Sequence, residues 1–426
     1  MSQNCSPVSL IRQFDLRSFC AAGGKARCFA CGSALHLSCL FFVLLIACAL
    51  TGCAVSPSPA ALGTAGAPAL PDESSEEIVA SLVTRKLEAL SAKDMDAYLA
   101  LIDERDQEYY TEQRNWFLIY QDAVTSDFSI DVKEVEQIDE NTIVALLKQH
   151  YRYGPEKEDR TIYYEEKFVK TPAGWKDADL NFEIQETPHF MVKYPQKVAS
   201  QAAAVAEEAE QAYTSVMQAL QLEPPGKVTI KLYDDKEILR QSSDIRVAYL
   251  FNGWNEDGES IKIYARRDSG TFAPLIAHEL VHKITLAFSD SQNSWFAEGL
   301  ASYFGNQPFQ GGNQLEQGKS SVEDLSRPVS WLEETSLIEL TDEDMIRAYY
   351  GASSMLVEFI VETYGLDKLK AILQELSKYP RYNRGYDYGE MEQESNQRLH
   401  DAIKTVLGVD MDAFNQRWLE WIKSQG

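Results

Sequence analysis

Two histidines and a glutamate stand at a spacing that can do metal chemistry. They are His278, Glu279 and His282, in the stretch LIAHELVHKITLAF that runs from Leu275 to Phe288. Residues four apart on a helix lie one above the other, so both imidazoles can share one metal ion. Glu279 then stands beside the metal, where its carboxylate can take a proton from metal-bound water and pass it to a leaving amine.

The same stretch also fits an ordinary core helix. Ile276, Leu280 and Ile284 form an apolar stripe, and Thr271 and Pro274 are typical of a helix start. Taken alone, the HExxH motif leaves the metal helix and the ordinary amphipathic helix both open, because such a motif also arises by chance.

A third candidate ligand follows sixteen residues after His282. Glu298 lies in the segment WFAEGLASYF, which begins at Trp295. A glutamate on a second helix can complete a set of two imidazoles and one carboxylate, which leaves a position on zinc open for water or substrate. The alternative is an exposed helical carboxylate, but that does not explain why Glu298 sits in so apolar a segment.

HELVH followed by WFAEGLASYF resembles the gluzincin clan of metallopeptidases, the peptidase MA-like families related to thermolysin and aminopeptidase N. The resemblance covers residues 186–426. It implies a small mixed sheet, the metal helix and a lower helical part from about residue 311. It also implies that His278, His282 and Glu298 bind one Zn²⁺ per chain and that Glu279 is the general base.

The resemblance implies two further roles. A tyrosine of the lower helical part donates a hydrogen bond to the oxyanion in these families, and the spacing back from Gly365 favours Tyr350 over Tyr349; a core tyrosine is the alternative. Substrate backbone pairs with an edge strand ahead of the metal helix, for which Ile261 and Ile263 in SIKIYA are candidates. The Gly-x-Met-Glu-Asn stretch with which aminopeptidases hold a free N-terminus is absent, which favours cleavage of internal peptide bonds.

The segments around these residues predict an α+β fold. Upstream of the metal helix, HFMVKYP, KVTIKLY and SIKIYA are typical of strands, and Val198 to Leu220 is a long helical segment rich in alanine and glutamate. Downstream, AYYGASSMLVEFIVETYG, LDKLKAILQELSK and MDAFNQRWLEWIKSQ indicate helices.

An earlier segment, residues 76–185, predicts a separate α+β domain. Ser74 and Glu77 have capping-box spacing before a helix, and a second short helix follows Asp94. After Trp116 the apolar period changes to two residues, which indicates strands. We expect four antiparallel strands that begin near Phe128, Asn141, Thr161 and Gly174.

Helices followed by a curled antiparallel sheet resemble the cone-shaped fold of nuclear transport factor 2-like domains. The resemblance rests on topology and on the helix–AKDMDAY–helix opening. Such a cone binds a small ligand, catalyses or only packs. Five side chains are candidates to line a pocket, although ordinary strand residues are the favoured interpretation: His150, Tyr151, Tyr153, Tyr163 and Tyr164.

The first 53 residues have the features of a bacterial lipoprotein signal peptide. Four basic residues precede the apolar run LSCLFFVLLIACAL, which suits a secretory signal and is short for a membrane span. The run leads into LTGC, which resembles a lipobox, so Cys53 is the expected lipidation site; a short uncleaved anchor is the alternative. Residues 54–75, rich in Ala, Pro, Ser and Gly, predict a flexible linker.

Net charge and cysteine content indicate which partners are unfavourable and whether disulfides can form. From Cys53 onward the chain carries 36 Lys and Arg against 64 Asp and Glu, a net charge of −28. So acidic a surface argues against nucleic acid and anionic lipid as partners. All seven cysteines lie within the first 53 residues, so no disulfide is expected in the mature chain. We therefore expect an extracytoplasmic protein that is anchored to the bacterial cell membrane through a lipid on Cys53.

These observations support a leading hypothesis and leave two others open. The leading hypothesis is a lipid-anchored zinc metallopeptidase that acts on a peptide or protein substrate. The second is a non-catalytic metal-binding scaffold or ligand-binding lipoprotein with a structural or vestigial site, although a relic would be expected to lose Glu279 first. In the third, residues 76–185 bind a ligand and gate the peptidase.

Overall fold

The structure is a computed structural model that describes residues 73–123, 125–154, 156–247, 251–265, 270–310, 320–337, 340, 342–382 and 388–426. The chain divides into Met1–Asp72 and one compact unit, Glu73–Gly426. The predicted signal peptide, Cys53 and linker residues 54–72 lie outside the described residues. Among the described residues, no helix is both long and apolar enough to cross a membrane. The compact unit is a mixed α+β structure, as expected from the sequence.

Three helices open the unit. They are α1 (Ser75–Ala92), α2 (Met95–Leu99) and α3 (Gln107–Asp122). The predicted capping box is present, because the Ser74 hydroxyl accepts from the backbone of Glu77 and the Glu77 carboxylate accepts from the backbone of Ser74.

The predicted change of period after Trp116 is wrong, because helix α3 continues to Asp122. The segment WFLIY is a continuous apolar run, and such a run fits a strand and a buried helix equally well by periodicity. In the structure the ring of Trp116 stacks on Tyr120, one helical turn later, at 5.3 Å between centroids. This contact belongs to a helix face.

The first sheet is an antiparallel meander in the order β1-β2-β3-β4. Its strands confirm the four that the sequence predicts: β1 (Thr125–Asp139), β2 (Thr142–Tyr153), β3 (Glu158–Thr171) and β4 (Gly174–Leu180). One face of the sheet, with Ile143 and Leu147, packs on Val79 and Val83 of α1. Burial of this apolar face holds the first helices to the sheet.

The five side chains proposed to line a pocket have different surroundings. Tyr151 is fully buried in the core, whereas Tyr163 is 56% exposed. His150 accepts or donates a hydrogen bond with Thr161 at 3.0 Å, and Tyr153 donates to the backbone of Arg246. Of the five, Tyr164 borders a cavity.

The second sheet has five strands in the order β5-β6-β7-β9-β8. The strands β6, β7 and β9 are parallel, and β5 and β8 are antiparallel at the two sides. Helix α4 (Ala199–Leu220) connects β6 to β7, and helix α5 (Lys236–Ser243) follows β7. The strands are β5 (Glu183–Glu186), β6 (Phe190–Tyr194), β7 (Val228–Tyr233), β8 (Gly253–Trp254) and β9 (Ile261–Tyr264).

The two faces of the second sheet differ in chemistry. Side chains alternate along a strand, and one set, including Val192, Ile230 and Ile263, is buried in the main apolar core with α4. The opposite set contains Lys193, Lys231 and Lys262, which pair with one another in register across β6, β7 and β9. We call these three residues the lysine row.

Carboxylates on and near α3 neutralise the lysine row. Lys231 Nζ lies 2.6 Å from both Glu112 and Asp179, and its side chain is almost completely buried. Lys262 Nζ lies 2.6 Å from Glu259 and 3.8 Å from Glu112. Lys193 pairs with Asp106 and, at 3.4 Å, with Asp179. The first helices and the second sheet are therefore joined by a buried ionic contact.

From Gln307 onward every regular element in the described part of the chain is a helix. Before it lie the two helices that carry the motif residues and a turn of π-helix, Ala301–Asn306. The helices are α6 (Ala273–Phe288), α7 (Ser294–Leu300), α8 (Gln307–Gln310), α9 (Val322–Leu325), α10 (Val329–Glu334), α11 (Glu343–Tyr364), α12 (Leu366–Leu376), α13 (Tyr388–Leu407) and α14 (Met411–Lys423).

Removing the central carboxylate of the ionic contact is expected to destabilise the unit. Burial alone raises the pKa of Glu112, but Lys231 and Lys262 outweigh that effect and lower it to about 2. Glu112→Gln leaves both ammonium groups buried with one partner fewer, and the free energy of unfolding should fall by about 3 kcal/mol. Urea unfolding measures this difference. Glu136→Gln, at an exposed position of β1, is the control and should change it by less than about 0.5 kcal/mol.

Candidate metal centre

Helix α6 is fixed at its start and along one side. Glu208 of α4 accepts hydrogen bonds from the backbone and side chain of residues 271–273, including Ala273 N at 2.7 Å. A carboxylate at a helix N-terminus also interacts favourably with the helix dipole. Ile276, Leu280 and Ile284 are fully buried, which confirms the predicted apolar stripe. By their spacing, His278 and His282 lie on the opposite side of the helix.

Helix α7 brings Glu298 to the two histidines. The side chain of Asn293 caps the helix by accepting from Phe296 N at 3.1 Å. Trp295 and Phe296 are fully buried and anchor the helix in the core. Glu298, which stands among these apolar residues, points to α6, so the exposed-carboxylate alternative is wrong: its side chain is 20% exposed and lies against both imidazoles.

The three candidate ligand atoms form a compact triangle. The Nε2 atoms of His278 and His282 are 3.2 Å apart. Oε2 of Glu298 lies 3.2 Å from Nε2 of His278 and 3.6 Å from Nε2 of His282. A tetrahedral ion with ligands at zinc distances has its ligand atoms about 3.3 Å apart. The separations therefore fit three ligands of one such ion, and these residues could hold a metal ion.

The charges of the group suit a cation. Burial opposes ionisation of Glu298, but the two imidazoles outweigh it and hold its pKa far below the usual range. Burial alone lowers the pKa of His282, yet the facing carboxylate of Glu298 raises it above its ordinary value. A largely buried carboxylate thus remains charged beside two imidazoles, and the lone pairs of their Nε2 atoms can converge on one ion when the rings are unprotonated.

Glu279 lies beside the triangle without belonging to it. Its side chain is buried, and burial raises its pKa, to which the charge of Glu298 adds, while the histidines oppose the rise. Gly253 of β8 packs so closely that a Cβ at this position would lie 2.6 Å from Oε1 of Glu279. The lack of a side chain at this position lets the strand lie directly against the carboxylate.

Tyr350 of α11 faces the same site. Its ring centroid lies 6.4 Å from that of His278. The neighbouring Tyr349 is fully buried and packs against Trp331 at 6.1 Å. Of the two candidate tyrosines, Tyr349 therefore lies in the core, and Tyr350 lies next to the candidate ligand His278.

The predicted edge strand is wrong in its position in the sheet. Strand β9, with Ile261 and Ile263, pairs with β7 on one side and with β8 on the other. Both side chains are fully buried in the core. Within the described residues the outermost strand on this side is β8, and its two residues, Gly253 and Trp254, are too few to give a strand pattern in the sequence.

One neighbour of the site has no signal in the sequence. The side-chain amide of Asn306 lies 3.2 Å from Nδ1 of His278. An amide there can bond the ring nitrogen that does not bind metal, which sets the orientation of the imidazole. Gly305 makes this possible, since a Cβ there would lie 2.7 Å from the backbone N of His278. Asn306 follows Glu298 by eight residues in a π-helical turn, a spacing that helix periodicity does not single out.

Comparison with protein-family models and with curated proteins finds no match for this chain. The chemistry of the site follows from its own residues. They comprise a possible metal-binding group, an adjacent buried carboxylate and a nearby phenol.

If the triangle binds a metal ion, the purified chain should contain close to one divalent ion, and His278→Ala should lose most of it because one of three ligands is gone. Elemental analysis by inductively coupled plasma mass spectrometry measures the content. His189→Ala is the control, since His189 pairs with Glu210 at 2.6 Å, outside this site. Equal metal content in both variants would contradict the assignment.

Proposed function

We propose that this chain is a zinc-dependent metallopeptidase that hydrolyses internal bonds of a peptide or protein. The observation that carries the proposal is the triangle of His278, His282 and Glu298 with the buried Glu279 next to it on α6. We also propose a fold for each part of the chain. Residues 76–185 would form a nuclear transport factor 2-like domain, and residues 186–426 would form a gluzincin domain.

Zinc suits the donor set better than the common hard cations do. Magnesium and calcium prefer six or more oxygen ligands, whereas two imidazole nitrogens and one carboxylate are typical of four-coordinate catalytic zinc sites. When bound, zinc supplies Lewis acidity, which lowers the pKa of water and polarises a carbonyl group. His278, His282 and Glu298 would hold it, and Asn306 would orient His278.

Glu279 is the proposed general base. Because burial raises the pKa of its carboxyl group, Glu279 accepts a proton more readily than an exposed glutamate does. It takes the proton from the attacking water and gives it to the leaving amine. Gly253 of β8 lies directly against this carboxylate.

Tyr350 and strand β8 are proposed to contact the substrate. The Tyr350 hydroxyl would donate to the oxyanion as the carbonyl becomes tetrahedral. Strand β8, at the side of the second sheet and against Glu279, offers main-chain groups to an extended peptide. A peptide that binds along a strand extends in both directions, which agrees with cleavage of internal bonds.

We also propose where the protein is located in the cell. LTGC at residues 50–53 resembles a lipobox, so Cys53 would carry the lipid that anchors an extracytoplasmic enzyme to the bacterial cell membrane. Metabolic labelling with a radioactive fatty acid tests it: label should appear in the intact chain and be lost on Cys53→Ala.

Glu279→Gln is expected to retain the metal and to lose hydrolysis by roughly 10²–10⁴-fold, because the amide cannot accept the proton. The assay uses a library of internally quenched peptides with both ends blocked, and elemental analysis of the same samples gives the metal content. Glu207→Gln, at an exposed position of α4, is the matched control. Metal-loaded chain that cleaves no peptide in the library would favour the non-catalytic scaffold instead.

Tyr350→Phe should lower kcat by roughly 100-fold with little change in KM or metal content, because one oxyanion donor is lost while ground-state binding remains. Tyr349→Phe, its buried neighbour, should leave kcat nearly unchanged. Steady-state kinetics on one good peptide from the library separates the two constants. A rise in KM alone would assign Tyr350 to substrate binding.

A further inference from the structure

A second candidate site, a partly open cavity, lies away from the candidate metal centre. A cavity of about 70 Å³ is bordered by the first sheet, by α1 and α3, and by β7 and α5 of the second half. Since one water molecule needs about 10–15 Å³ of such volume, the cavity has room for a group of about five heavy atoms. None of its lining residues belongs to the candidate metal centre.

Helix α5 closes the cavity through specific hydrogen bonds. The Gln241 side-chain oxygen accepts from Nε2 of Gln149 in the first sheet at 2.7 Å. Its backbone oxygen accepts from Nε1 of Trp116 in α3 at 2.8 Å. Gln241 thus ties this wall of the cavity both to the first sheet and to α3.

Two carboxylates share one cation at the cavity. Lys86 Nζ lies 2.7 Å from Oδ2 of Asp177 and 3.4 Å from Oε1 of Glu166. All three side chains are nearly buried. The other oxygen of Asp177 accepts from the Tyr109 hydroxyl at 2.7 Å. With both carboxylates ionised, this group would have one buried negative charge in excess of its lysine, which is costly in a low dielectric.

Glu166 relieves the excess by keeping a proton. Burial raises the pKa of its carboxyl group, and the nearby Asp177 raises it further, so that it reaches about 8 although Lys86 opposes the rise. At neutral pH the cavity therefore holds a carboxylic acid whose proton a cation could replace.

The remaining walls suit a cationic group. The rings of Tyr98, Trp116 and Tyr164 border the cavity. Aromatic faces next to a carboxylate attract an ammonium group. Glu112 and Asp179 also border the cavity, but both are paired with lysines of the lysine row, so Glu166 is the carboxyl group there that a ligand cation can balance.

We propose that this cavity binds a small primary ammonium compound, of the size of methylammonium, between Glu166 and the aromatic rings. On binding, the ammonium group takes the place of the Glu166 proton, which leaves to solvent, so the charge of the site does not change. The site is independent of the proposed peptidase activity.

Binding should depend on pH through Glu166. Below about pH 8 the proton must be removed before the cation binds, so affinity rises as pH increases toward 8. Several neighbours also have shifted pKa values. Although burial opposes the rise, Asp177 and Glu166 raise the pKa of Lys86, and burial raises the pKa of the phenols Tyr98, Tyr109, Tyr164 and Tyr233. Against the effect of burial, Lys231 and Lys262 lower the pKa of Glu112 to about 2. The titratable or charged groups around Glu166 are Lys86, Tyr98, Tyr109, Glu112, Tyr164, Asp177, Asp179 and Tyr233.

The test is isothermal titration calorimetry of the full chain in detergent with methylammonium chloride. Between pH 6.5 and pH 8.5 the association constant should rise about 25-fold, the ratio that follows from a pKa of about 8. At pH 6.5, titrations repeated in buffers of different ionisation enthalpy should show that close to one proton is released for each methylammonium ion bound. Potassium chloride at the same ionic strength is the comparison.

Glu166→Gln imitates the protonated state and should fold normally, but it should lower the affinity at pH 8.5 at least tenfold and abolish the pH dependence. Glu165→Gln is the matched control, because Glu165 is the preceding residue on β3, is exposed and accepts from Asn181 at 2.9 Å. Three outcomes would overturn the proposal: no saturable binding at pH 8.5, equal binding of potassium, or unchanged binding by Glu166→Gln.

Discussion

The lysine row is the constraint on which the rest of the structure depends. Lys193, Lys231 and Lys262 stand on adjacent parallel strands, whose spacing of about 4.8 Å brings like charges together. Buried ammonium groups at such distances are unfavourable unless each has a carboxylate. Helix α3 and its flanks supply Asp106 and Glu112, so the second sheet reaches its native environment only with the first helices in place.

The same ionic contact reaches helix α6. Lys283 directly follows His282, and its Nζ lies 2.7 Å from Oε1 of Glu108, one helical turn before Glu112 on α3. Lys283 also donates to the backbone oxygen of Glu259, whose side chain pairs with Lys262. Helix α6 is thus held by α4 at its start, by the core along its length and by α3 beside the second histidine. A set of ligands depends on such support, because small displacements weaken metal binding.

The sequence predicted the parts of this structure that follow from local spacing. His278 and His282 converge because they are four apart on a helix, and the apolar setting of Glu298 correctly indicated that it is not a solvent-exposed carboxylate. The lysine row could not be predicted in this way. Strands such as KVTIKLY alternate apolar residues with lysine, which is typical of a strand with one face in water. Only the tertiary position of α3 makes that face an interior one.

The misplaced edge strand has a similar cause. Strand β8 contains two residues, so its pairing with β9 depends on the path of the chain and not on a local pattern. Asn306 is likewise brought to His278 by a π-helical turn, which shifts side chains away from the faces that α-helical spacing predicts. In each case the missing information is tertiary.

The lysine row and the two proposed binding sites differ in how the charge of their buried carboxylates is balanced. In the lysine row each ammonium group has a carboxylate from the chain itself, and the most exposed of these acids, Asp106, also caps α3 and so interacts with the helix dipole. At the candidate metal centre the largely buried carboxylates of Glu279 and Glu298 lie beside the imidazoles of His278 and His282. At the cavity Glu166 and Asp177 share the single charge of Lys86. Where fixed cations do not match the buried carboxylates, the remaining charge is balanced by a proton or by a cationic ligand, and a site that retains a proton at high pKa is one that a cation can occupy.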